Sequence, residues 1–152
     1  MSACPQCKNE LLPQAAWCPQ CGIVQPATEQ IDCENHASEL AIGLCVLCGK
    51  PVCGDCALSV EGKTFCENAQ HQSIFRDWSV AHESDFEFES DMIRHNIAAA
   101  GIETMVFSFR NFLGTFWLKD MKPVRVLVPN AKHQQARETL MKLRLIEQQD
   151  KQ

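Results

Sequence analysis

Ten cysteines fall between positions 4 and 66 of this 152-residue chain, and none follows them. Eight form C-x2-C pairs: Cys4 with Cys7, Cys18 with Cys21, Cys45 with Cys48, and Cys53 with Cys56. The other two stand near histidines, as Cys33-x2-His36 and Cys66-x4-His71. A C-x2-C turn brings two sulfurs to one side of a tight loop, where a tetrahedral metal can take both. Disulfides are the competing use of so many cysteines. Repeated pairs, histidines at ligand spacing and an N-terminus (MSACPQC) without a basic region and apolar core all favour metal. The cytoplasm is therefore the expected compartment.

Composition narrows the class further. An apolar content of 45% argues against wholesale disorder. No apolar run approaches the length of a membrane span, and no basic amphipathic stretch suggests membrane attachment. Formal charge is −5; ten thiolate charges, offset in part by the six positive charges of three zinc ions, would bring it to about −9. Such a balance disfavours broad contact with a nucleic-acid backbone.

The first quartet reads Cys4-Pro-Gln-Cys7 and Cys18-Pro-Gln-Cys21-Gly22. Two such turns facing each other complete one site, Gly22 suits a left-handed backbone after the second pair, and Trp17 with Leu11 and Leu12 can cover the metal. The same four thiolates would also accept iron, as in a rubredoxin. Residues 4 to 22 resemble the zinc-ribbon family, which implies a structural or docking module over residues 1–24.

Cys33, His36, Cys45, Cys48, Cys53, Cys56, Cys66 and His71 supply eight more donors, enough for two four-coordinate zincs and three per chain in all. Their pairing can be sequential or interleaved. Only four residues, including Gly49 and Pro51, separate Cys48 from Cys53, which suits a hairpin whose ends serve different metals. Glu34, Asp55 and Glu67 are assigned to the surface or to a supporting role beside the ligands. The run C-E-N-H…C-V-L-C-G-K-P-V-C-G-D-C, within 33–71, resembles a B-box zinc finger of the form found in bacterial multidomain proteins. That resemblance implies an interleaved cross-brace: Cys33, His36, Cys53 and Cys56 on one zinc, Cys45, Cys48, Cys66 and His71 on the other. It also implies a protein-interaction or self-association role.

Residues 77–148 read as a small α+β unit of order βαββα. Trp78 and Val80 mark a first strand. Ser84-Asp85-Phe86-Glu87 has the form of a capping box, and Phe86, Ile93, Ile97 and Ala100 then share a helical face. Gly101 ends that helix, and strands follow at 102–107 and 124–128. Asn130 is placed to cap a last helix with the stripe Ala136, Leu140 and Leu143. The long segment 108–123 carries Phe109, Phe112, Phe116 and Trp117, expected to cap this small core or to meet a partner. The stretches A-A-A-G-I-E-T, V-R-V-L-V-P and A-R-E-T-L resemble a family of prokaryotic signal-transducing proteins with a ferredoxin-like fold similar to PII regulators. The family implies no catalytic residues.

The expectation is thus a small multi-domain chain: zinc ribbon, B-box-like double-zinc module, ferredoxin-like βαββα domain. It has no catalytic or other cofactor-binding residues. His82, His95 and His133 are scattered, no P-loop or H-E-x-x-H occurs, and every cysteine is assigned. The expected role is a non-enzymatic zinc adaptor or signalling regulator with a protein partner or a second copy of itself. The alternatives are nucleic-acid binding, which would need Lys8, Lys50, Lys63 and Arg76 on one face, and a zinc- or redox-responsive sensor.

Overall fold

A computed structural model describes residues 2–25, 30–112 and 122–146. It is small and α+β, and the chain divides into two compact units. Unit 1 comprises Met1–Ser73 together with Phe109–Lys119, and unit 2 comprises Ile74–Ser108 and Asp120–Gln152.

Unit 1 is built from very short antiparallel ladders. β1 (Ser2–Ala3) pairs with β2 (Glu10–Leu11), β3 (Gly43–Leu44) with β4 (Pro51–Val52), and β5 (Leu58–Val60) with β6 (Lys63–Phe65). Ladders of two or three residues are marginal in water without a further constraint. The sequence divides this region into residues 1–24 and 33–71, but backbone hydrogen bonds stitch the two together. Leu44 N–H donates to Gly22 O at 2.7 Å, Thr64 N–H to Cys21 O at 2.8 Å, and Val24 N–H to Ile42 O at 3.0 Å. Trp17, Leu44, Leu47, Val52 and Phe65 are buried around these strands. Phe109 is buried here too, its ring edge-on to Trp17 with centroids 6.4 Å apart. Sequence reasoning places Phe109 with the 77–148 unit. Gly49 explains the difference, since a Cβ there would sit 2.2 Å from Phe109 Cδ1, so only a glycine admits the ring. Phe116 and Trp117 lie outside the described residues.

α1 (Gln70–Asp77) has no counterpart in the sequence reading, which treats 72–76 as a connector. Asn68 starts it, its side-chain oxygen accepting the Gln70 N–H at 3.0 Å.

Among the described residues, unit 2 carries a three-stranded sheet with two helices. β7 (Trp78–Ser84) and β8 (Met105–Ser108) each pair antiparallel with β9 (Val124–Pro129), which lies between them. The two strands joined by α2 (Glu87–Ala99) are therefore parallel and split by the third. Ile93 and Ile97 of α2, Ala136 and Leu140 of α3 (His133–Lys142), and Val126 and Val128 of β9 form a buried core with Ala81 and Ile102.

Several local elements differ from the sequence pattern. Ser84 ends β7 and does not cap α2; its hydroxyl accepts the Phe86 N–H at 3.0 Å and meets the Glu89 carboxylate at 2.9 Å. The helix then begins at Glu87, so Ser90 takes the core position and Phe86 is left 64% exposed. Asn130 opens a 3-10 turn, Asn130–Lys132, and donates its side-chain amide to Arg76 O at 2.8 Å instead of capping α3. Leu143 is half exposed because α3 ends before it. Both helices close in the same way. Gly101 (φ 82°) and Arg144 (φ 56°) are left-handed, with Ile102 N–H reaching Ile97 O and Leu145 N–H reaching Leu140 O.

Candidate metal centres

Tight turns bring the cysteines together. Each C-x2-C turn is closed by a hydrogen bond from the N–H of the residue after the second cysteine to the carbonyl of the first. These are Lys8 to Cys4 (2.9 Å), Gly22 to Cys18 (2.7 Å), Gly49 to Cys45 (2.9 Å) and Ala57 to Cys53 (2.9 Å). In three of the four, that next residue is left-handed: Gly22 at φ 85°, Gly49 at φ 80° and Lys8 at φ 66°. Gly22 is required twice over, since a Cβ there would lie 2.3 Å from Leu44 O. Within the turns, backbone N–H groups point at sulfur: Gln6 and Cys7 at Cys4, Gln20 and Cys21 at Cys18, Lys50 at Cys48. These are donors arranged for thiolates, not thiols.

Three groups of four result: Cys4, Cys7, Cys18 and Cys21; Cys33, His36, Cys53 and Cys56; Cys45, Cys48, Cys66 and His71. Within each, all ligand atoms lie within 4.8 Å of one another. Sulfur pairs within the groups stand 3.6 Å (Cys7–Cys18), 3.7 Å (Cys4–Cys21) and 3.9 Å (Cys33–Cys56 and Cys48–Cys66) apart. A tetrahedron with zinc–sulfur bonds of about 2.3 Å has sulfur–sulfur edges of about 3.8 Å. These separations are far beyond a disulfide of about 2.05 Å. Both histidines turn Nδ1 inward, His36 to Cys56 at 3.3 Å and His71 to Cys66 at 3.2 Å. His71 gets there from the first turn of α1. Each group fits a zinc ion, which makes three per chain.

The structure thus brings together all twelve residues that the spacing singles out, and interleaves the second and third groups. Local contacts show how: the Cys53 N–H points at Cys33 sulfur, and the Cys66 N–H at Cys45 sulfur. Around the first group, Leu11 and Trp17 are buried as expected, but Leu12, just past the end of β2, is half exposed.

Electrostatics also call for a cation. The Asn9 N–H and side-chain amide bring Cys7 down to about 6, whereas burial pushes Cys21 up to about 12. Burial raises Cys33, but the N–H groups of Cys53 and Asn35 and the His36 ring outweigh it and leave it at about 6. The Asn35 amide draws Cys56 down, yet burial and the Cys53 and Cys33 thiols leave it raised. Contact with Cys48 is the main cause that brings Cys45 down to about 4, and the same contact pushes Cys48 up. In every group one sulfur ionises at the expense of another. Thiolates packed this closely are all charged only when a dication sits among them. With four protein donors each, the groups leave no coordination position for water.

Next to the ligands, Lys50 forms an ion pair with Glu67, whose carboxyl the Lys50 contact brings down to about 2. Glu67 also accepts from the Asn35 side-chain amide, so its carboxylate links a residue beside one cross-braced group to a residue beside the other.

His82, His95 and His133 belong to none of the three groups. His82 meets Glu89 at 3.0 Å, His95 bonds Asp91 O at 2.7 Å, and His133 bonds Val80 O at 3.0 Å. No protein-family model, curated protein or solved structure matches the chain. Among the described residues, no helix is long and apolar enough to cross a membrane.

Proposed function

We propose that this chain is a non-enzymatic zinc protein of the cytoplasm that works as a protein-interaction adaptor or signalling regulator. The observation that carries this reading is the closure of all three groups by four protein donors, which makes zinc a structural element and not a Lewis acid. On this reading residues 1–24 are a zinc ribbon and 33–71 a B-box-like cross-brace, supported by the interleaved donor sets. Residues 77–148 are a ferredoxin-like domain, supported by the split strand order β7-β9-β8. A partner surface is supported by Phe88, 80% exposed, with Phe86 and Met92 also exposed at the start of α2. Aromatic and methionine side chains are enriched at protein interfaces.

Nucleic-acid binding is the weaker reading, because the cations it would need are engaged within the protein. Lys8 bonds Pro5 O, Lys50 pairs with Glu67, Lys63 bonds Gln20 O and Arg76 pairs with Asp77. The test is affinity capture from the native cell with the intact, zinc-loaded protein and its Phe88→Asp variant. A protein retained by the first and lost by the second is the expected result. Identical capture by both removes the α2 surface from the proposal, and nucleic acid retained in a salt-dependent manner would replace it.

A further inference from the structure

The two cross-braced zinc groups are joined by side chains as well as by the backbone. Asn35 lies between Cys33 and His36 in the ligand loop of one group. Its side-chain amide donates to Cys56 Sγ of that group at 3.5 Å and to Glu67 Oε1 at 3.0 Å. Glu67 directly follows Cys66, a donor of the other group, and its Oε1 also accepts from Lys50 Nζ. Lys50 in turn directs its backbone N–H at Cys48 sulfur, again in the other group. The Lys50 side chain is 17% exposed and that of Glu67 48%.

We infer that Asn35, Glu67 and Lys50 form a positioning bridge by which the Cys45–Cys48–Cys66–His71 group strengthens zinc binding at the Cys33–His36–Cys53–Cys56 group. This rests on the zinc reading of both groups. The chemistry lies in the amide. A thiolate and a carboxylate are acceptors only, and an amide NH2 offers two hydrogens. With Glu67 in place, both neighbours demand the NH2 end, and the amide is locked with a donor on Cys56. Without Glu67 it is free to rotate, and its oxygen can then face the sulfur lone pairs. A donor on a metal-bound sulfur spreads the thiolate charge and orients the ligand, and loss of such outer contacts typically weakens metal binding by about 10- to 100-fold. Glu67 touches no donor of the group it supports except through Asn35. Its effect there is therefore an effect at a distance.

The experiment loads the full chain with 113Cd, a thiophilic stand-in for zinc whose NMR signals report each group separately, and titrates with a competing chelator. Wild type, Glu67→Ala, Glu67→Gln, Asn35→Ala and the double variant Asn35→Ala/Glu67→Ala are compared. Glu67→Ala is expected to bind three cadmium ions yet lose about tenfold in affinity at the Cys33–His36–Cys53–Cys56 group. Glu67→Gln, whose amide oxygen still accepts, should recover most of it. In the double variant the two losses at that group should not add. Affinity lost only at the group containing Cys66, lost equally at all three groups, or lost additively would overturn the bridge. Fewer than three cadmium ions on wild type would instead sink the zinc reading beneath it.

Discussion

Units 1 and 2 are similar in size and are held together by different physics. Unit 1 places its strongest constraints at twelve sulfur and nitrogen atoms, linked by ladders of two or three residues. Among the described residues, unit 2 has strands of four to seven residues, two helices with left-handed closures and an aliphatic core. Small domains that cannot bury enough apolar surface commonly recruit metals, since binding to the folded form alone stabilises it. The contrast shows that apolar content alone does not decide which solution a segment adopts. Unit 1 does bury Leu44, Leu47, Val52 and Phe65, but its ladders are only two or three residues long.

Removal of metal should break the comparison most visibly. A structural zinc contributes about 10 kcal/mol or more at neutral pH, so a strong chelator should erase the dispersed amide signals of residues 2–73. Those of 78–108 and 124–146 should persist, because no metal group draws on them. Cys53→Ala should act as a partial chelator. Cys53 shares a site with Cys33 and His36, so signals near those two residues should broaden, although they lie 20 and 17 residues away in sequence. Residue-resolved NMR with and without chelator checks both, and melting of unit 2 on chelation would end the idea of two independent solutions.

Truncating the other core should give the mirror image with a smaller effect. Leu140 is fully buried against α2 and β9, and Leu140→Ala should cost about 2–5 kcal/mol. Denaturant unfolding followed at unit 2 amides should show the loss, while zinc stoichiometry stays at three. A fall in zinc content would mean that the aliphatic core also supports the metal loops.

The smallest expected effect separates the units by pH. The Ser84 hydroxyl, then His82, hold the Glu89 carboxyl below its ordinary value of 4.5. A depressed folded pKa contributes stability above the unfolded value that disappears as pH falls through the folded one. Unit 2 should therefore lose a little stability below about pH 4.5, under about 1 kcal/mol because the carboxylate is partly exposed. Glu89→Gln should flatten this dependence. Unit 2 amides in acid titration provide the measurement, and an unchanged slope in the variant would assign the acid sensitivity elsewhere.

Much of this protein is local chemistry, and local chemistry is legible along the chain. Thiolates with two residues between them share a turn whatever surrounds them, so the twelve donors and the count of three groups follow from spacing. Gly101, Ile93, Ile97 and the β9 run are legible for the same reason: their signals lie within one or two helical turns or one strand. Other features depend on who meets whom. Lys8 and Arg144 adopt left-handed backbones without a glycine to announce them. Ser84 looks like a helix cap until β7 claims it, and Phe109 looks like part of the second core until Gly49 and Trp17 receive it. The pairing of Cys33 and His36 with Cys53 and Cys56, and the meeting of Asn35 with Glu67, join segments 17 to 32 residues apart. Spacing names the donors because a turn is a short-range object. Tertiary structure chooses their partners because closing those longer loops is decided by the strands, the glycines and the buried side chains between them.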